Sequence, residues 1–112
     1  MGFIETGEWE SGIVADEGTL SAAIDLGRVC EEAVIYVPTI DNATVAVYVA
    51  MTLAGTYAAL KLTNVDGTEE AILAGASTGG FFWRVPLGAQ YMKILCGAAQ
   101  TNGPRTFYVR GT

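Results

Sequence analysis

The chain has 112 residues, 51% hydrophobic and only 16% charged, with a net charge of −6 and a mean hydropathy of +0.36. A disordered chain would be polar and highly charged, so this composition excludes one. Free nucleic acid is not an expected partner, because binding it takes clustered Lys and Arg to displace counterions. At this length one domain is expected, and its surplus of apolar surface calls for a subunit interface.

Residues 1–18, "MGFIETGEWESGIVADEG", are acidic and punctuated by glycine, with Phe3, Ile4 and Trp9 among scattered apolar residues. They read as an N-terminal arm, some of which can be a first strand, ahead of a β domain over residues 19–112. Charge is unevenly distributed. Nine acids and one base occupy residues 1–41, whereas four bases and no acid follow Glu70. Either the two ends of the chain pair antiparallel within one fold, or subunits complement each other head to tail.

The domain then repeats a strand grammar. Leu20, Ala22, Ile24 and Leu26 alternate with Thr19, Ser21, Ala23 and Asp25. "EAVIYVP" is a nearly continuous apolar strand that Pro38 is expected to end. Residues 43–60, "ATVAVYVAMTLAGTYAAL", carry no charge over a length of about 18 residues, close to that of a membrane helix. Their period is two, however. Val45, Val47, Val49 and Met51 fall on one face and Thr44, Ala46, Tyr48 and Ala50 on the other. β-Branched valines at every second position suit a pleated sheet better than a helix. Ala54-Gly55-Thr56 supplies a turn, and the chain returns over Tyr57–Leu62, so two strands are expected and no membrane span. The bulky set is assigned to the core. The small set is too apolar for free solvent and too small to fill a core, which makes Thr44, Ala46, Tyr48 and Ala50 a candidate oligomer interface.

Asp66-Gly67 is a hairpin turn. "GGFFWRVP" and "AQYMKILCG" follow as strands joined by Leu87-Gly88-Ala89, and "TNGPR" turns the chain into a last strand, "RTFYVRG". About eight antiparallel strands at this spacing indicate an all-β protein, a β-sandwich of jelly-roll-like topology.

Residues for chemistry are few. There is no histidine, which removes the commonest general base and any Ser-His or Cys-His pair. Glu31-Glu32 and Glu69-Glu70 are adjacent on strands and point to opposite faces, so neither pair forms a local two-carboxylate site. Cys30 and Cys96 lack metal or redox spacing. With no secretory signal in evidence, both are expected as free thiols made in a reducing cytoplasm. No catalytic residue, metal or cofactor is expected. Phe81, Trp83 and Val85 alternate as a core-facing set, which leaves Phe82 and Arg84 outward.

The order of "GTLSAAIDLGR", "EAVIYVPTIDNATVAVYVAMTLAGTYAALKLTNVDGTE" and "GAQYMKILCGAAQTNGPRTFYVRG" resembles that of short tailed-phage virion proteins, over roughly residues 18–112. The resemblance implies a jelly-roll-like β-sandwich and a capsid decoration (cement) role. It further implies a homo-oligomer, a trimer, on the outer surface of the virion that bridges major capsid proteins. The arm lies outside the resembling segment; Phe3, Ile4 and Trp9 cannot all join one small core from a glycine-broken acidic segment, so they are expected to dock on a neighbouring subunit or the capsid. The alternative is a carbohydrate-binding β-sandwich of a phage tail or fibre, using the tryptophan and tyrosines.

Overall fold

A computed structural model describes residues 8–112 and contains only strands, turns and bends. The strands are β1 (Trp9–Val14), β2 (Ile24–Ala50), β3 (Ala58–Ala59), β4 (Lys61–Thr63), β5 (Glu69–Ala71), β6 (Leu73–Cys96) and β7 (Arg105–Gly111). All pairings are antiparallel, in the order β1-β7-β2-β3 with β6 against β2, and β4 with β5 as a separate ribbon.

Two long strands build both layers. Met92 of β6 has Ile24 on one side and Val49 on the other, so the two ends of β2 flank one stretch of β6. Val45 of β2 is likewise flanked by Ala74 and Cys96, the two ends of β6. The middles of both strands form the other layer, where β1, β7, β2 and β6 lie in that order. Period-2 alternation turns one face of each layer inward. Ile35, Val37, Val85, Phe107 and Val109 from this layer share one cluster with Ile24, Val45, Val47, Met92 and Ile94 from the other. Gly12 of β1 sits where the layers meet, and a Cβ there would stand 2.5 Å from Ile24 Cδ1. The fold is an all-β sandwich.

Several expectations are corrected by tertiary context. Trp9–Val14 is a full strand against β7, in register from Trp9↔Arg110 to Val14↔Arg105. The sheet therefore takes in a third of the stretch set apart as an arm, and the two chain ends do pair. Pro38 does not end its strand, because β2 continues through it with a shift of register between Thr39 and Ala43. Leu87-Gly88-Ala89 is a kink inside β6 rather than a connector, with Gly88 at φ +69. The alternation in residues 19–26 slips: Leu20 and Ala22 are exposed while Ser21, Ile24 and Leu26 are buried. Ser21 goes inside because its hydroxyl is satisfied there, accepting the Ile94 N–H at 2.9 Å and donating to the Ala22 carbonyl. Met51, assigned to the core, is 97% exposed, because the chain turns at residues 51–55 and the alternation stops with the strand.

Other local readings hold. The apolar stretch forms the end of β2 and a return strand shorter than the expected Tyr57–Leu62: only Ala58–Ala59 pairs with β2, as Tyr48↔Ala59 and Val49↔Ala58, and Lys61–Thr63 leaves as β4. No helix among the described residues is long and apolar enough to cross a membrane. In the β4–β5 turn Gly67 takes φ +87, and the Asp66 carboxylate accepts from the Thr68 N–H and hydroxyl at 3.0 and 2.6 Å. Cys30 and Cys96 are free and buried, and burial pushes the Cys96 thiol up to about 11. Alkylation without reductant is expected to add two labels to the denatured protein and almost none to the native one. Unlabelled denatured protein would contradict the free thiols.

Asp41 ties the loop before β7 to β2. Its carboxylate accepts from the Thr101 N–H at 2.6 Å, the Asn102 amide at 2.6 Å and Arg105 at 3.1 Å. The buried Gln100 side chain clasps the Asp41 backbone, accepting its N–H at 2.7 Å and donating to its carbonyl at 3.2 Å. Led by the Thr101 N–H, these donors hold the Asp41 carboxyl at about 2, below its ordinary 3.8. A lowered carboxyl stabilises the fold fully above its unfolded value, and the contribution disappears as pH falls through the folded one. The melting temperature of the native protein is therefore expected to exceed that of Asp41→Asn near neutrality. That gap should close between about pH 4 and about pH 2. A gap constant across the window would show that the charge is not what holds the loop.

Candidate interaction face

The outer face of the β1-β7-β2-β6 layer gathers four aromatic rings, one from each strand. Tyr36 lies opposite Tyr108 on one side and Phe82 on the other, so these three form a row across the sheet. Each stands between inward neighbours (Ile35 and Val37 around Tyr36, Phe107 and Val109 around Tyr108), so alternation turns it outward. Ring centroids are 5.0 Å apart for Tyr36–Phe82 and 6.4 Å for Tyr36–Tyr108. The Trp9 indole reaches over the intervening strands to 6.1 Å from Phe82. The interplanar angles of 38–58° tilt the rings against one another, as aromatic pairs prefer, and leave a shallow depression of about 290 Å³ between them.

Three of the rings are exposed, Phe82 at 66% and Trp9 and Tyr108 at 43% each, and Tyr36 between them is half-buried. Arg110 and Arg84 stand one row along on the same face, level with Trp9 and Val34. Glu32 approaches Arg84 only loosely, at 3.7 Å with both side chains mostly exposed, and so neutralises little.

Sequence reasoning found some of this face. Phe82 and Arg84 point outward as expected, and Phe81 and Trp83 pack against the core. Trp83 is thereby withdrawn from the stacking role that the carbohydrate alternative would give it. Tyr36 was missed, because nothing local brings it beside Phe82, 46 positions away. Trp9, expected on an arm, belongs to the face as the first residue of β1. Phe3 and Ile4 lie outside the described residues. A truncation meant to test the arm should stop before Trp9, since removing residues 1–12 would also take most of β1.

The other candidate row lies on the outer face of the second layer. Ala46 is only 6% exposed, covered by its own chain between Leu73 and Leu95, while Thr44, Tyr48 and Ala50 are half-buried. The surface this row offers a partner is therefore small. Beside it, Lys93 Nζ stands 4.5 Å over the Tyr57 ring, and burial first, then Tyr91 and Asp25, raise the Tyr57 phenol. No group of three or more potential metal-ligating His, Cys, Asp or Glu side chains occurs among the described residues.

No family model matches the chain, and no curated protein matches it. The chain is similar to two solved structures with phage origins. One is the SPBc2 prophage-derived protein YomS, with 15% identity and a TM-score of 0.49 over 97% of this chain and 96% of that one. The other is a chain of the Cyanophage Pam1 capsid asymmetric unit, with 20% identity and a TM-score of 0.37 over 97% of this chain and 86% of that one.

Proposed function

We propose that this chain is a non-enzymatic structural subunit of a phage virion, a capsid decoration (cement) protein of the outer head surface. In this reading it assembles as a homotrimer and bridges major capsid proteins. The order of strand motifs supports the virion assignment, and the aromatic face supports a role exercised by contact. Trp, Tyr, Phe and Arg are the residues enriched where protein partners meet. Each aromatic side chain can bury roughly 150–250 Å². Covering four half-exposed rings would remove on the order of several hundred Å² from water, the size of patch that marks an interaction site rather than scattered surface residues.

The same rings favour one second reading, a carbohydrate site, because stacked sugars also use aromatic faces beside polar groups. The two readings separate in one experiment. Protein is added to expanded capsids of the encoding phage lacking it, and co-sedimentation is compared with glycan-array binding. Saturable capsid binding, reduced roughly tenfold or more by Phe82→Ser with Trp9→Ser, is the expected outcome. Glycan binding lost in that variant, with no capsid binding, would sink the decoration reading.

A further inference from the structure

The β4–β5 ribbon, residues 61–71, belongs to neither layer of the sandwich. Every residue of both its strands is exposed. Its root lies beside Pro86 and Leu87 at the β6 edge, and Val65 at its tip is fully exposed. An isolated two-stranded hairpin is marginally stable in water, so a ribbon of this kind gains from a surface to lie on. Its turn is nevertheless preformed: the Asn64 N–H bonds the Thr68 carbonyl at 2.7 Å, and the Asp66 carboxylate caps Thr68. Docking therefore costs little ordering.

The ribbon and the aromatic face are complementary in two respects. Leu62 stands across from Glu70, so one side of the ribbon presents an apolar group beside a carboxylate. The ribbon as a whole carries Asp66, Glu69 and Glu70 against Lys61 alone. The aromatic face presents exposed rings beside Arg84 and Arg110. The lengths also agree. Five residues from Leu60 to the tip extend about 17 Å, and four strands span about 14 Å. Both strands of the ribbon are fully exposed, so it does not lie on its own sheet, and a face that it crosses belongs to another molecule.

We propose that the ribbon of one copy docks across the Trp9–Tyr36–Phe82–Tyr108 face of the next, with Glu70 toward the arginines. Two different surfaces then meet, so the contact is head to tail, and repeating it closes a ring if the rotation allows. The proposal rests on reading the aromatic face as a protein contact and names its occupant as a second copy of the chain.

Cysteine pairing tests it, because Cys30 and Cys96 are buried and do not compete. Val65→Cys protein is mixed with Phe82→Cys protein under mild oxidation, and each is also oxidised alone. Light scattering gives the mass of the wild type, of Phe82→Ser and of Glu70→Arg. The expected results are a covalent dimer chiefly in the mixture and a wild-type mass of several chains rather than the 11.8 kDa of one. Self-association should weaken roughly tenfold or more in both substitutions. Circular dichroism should match the wild type, since both side chains lie outside the core. A wild-type monomer at high micromolar concentration overturns the proposal, as does cross-linking of Val65→Cys with itself alone. A monomer that still binds capsids through Phe82 would defeat this inference and leave the contact reading standing. Glycan binding at Phe82 would defeat both.

Discussion

Val47→Arg is expected to abolish the fold. Val47 has no exposed surface; it pairs with Ile94 in β2–β6, and its carbonyl accepts the Leu60 N–H at 2.9 Å. Its side chain points between the layers, among groups that offer a guanidinium no partner. Arginine keeps its charge at any working pH, and the effective cost of burying an unpaired ion is several kcal/mol. A domain of this size has about 5–15 kcal/mol in total, so one such charge consumes much of it. The same substitution two and four residues along provides an internal scale. Val49 is half-buried at the margin, where arginine can extend its head into water, and a smaller loss is expected. Met51 is exposed, so Met51→Arg should leave the melting temperature almost unchanged. Circular dichroism on the three variants should rank them in that order. A folded Val47→Arg protein would mean that this strand presents its other face to the core.

That series also marks how far the sequence was legible. Alternation predicted the inward faces of β6 and of the last part of β2 because it is a local property of a strand. It failed where locality fails. The alternation that placed Val45 and Val47 pointed on to Met51, but a turn intervened, and alternation cannot say where a strand stops. Ser21 displaced Leu20 from the interior because a backbone N–H 73 residues away supplied its hydrogen bond. The aromatic face draws one ring from each of four strands, so it depended on strand order and register rather than on a motif. Phe82 could be assigned outward from its neighbours, whereas Tyr36 and Trp9 joined a site only when the sheet brought them together. The ribbon is the intermediate case. Its turn was plain in Asp66-Gly67, but its exposure on both faces followed from the rest of the chain having formed a sandwich without it.

Gly79 stands beside the register shift in the paired long strands, and Gly79→Ala is expected to be the most damaging of the small substitutions. Gly79 pairs with Thr39, just before β2 shifts register, and takes φ +83. A Cβ there would fall on the carbonyl oxygen of Pro38. That oxygen is hard to move, because the proline ring fixes its own φ and β2 is paired on both sides of it. Gly80 is the control, with φ +81 but no atom within 4 Å of where its Cβ would be. Alanine at position 80 meets only the left-handed backbone strain, roughly 1–2 kcal/mol. Alanine at position 79 meets the same strain and must also push the facing backbones away from each other, for a total of roughly 3 kcal/mol or more. At about 5 °C per kcal/mol for a domain of this size, Gly80→Ala should melt about 5–10 °C below the wild type and Gly79→Ala about 15 °C or more below. The difference between the variants isolates the contact with Pro38, since the backbone strain is common to both. Equal losses would show that β2 yields at Pro38 and that the register shift is held elsewhere, by the Asp41 and Gln100 bonds to the loop before β7.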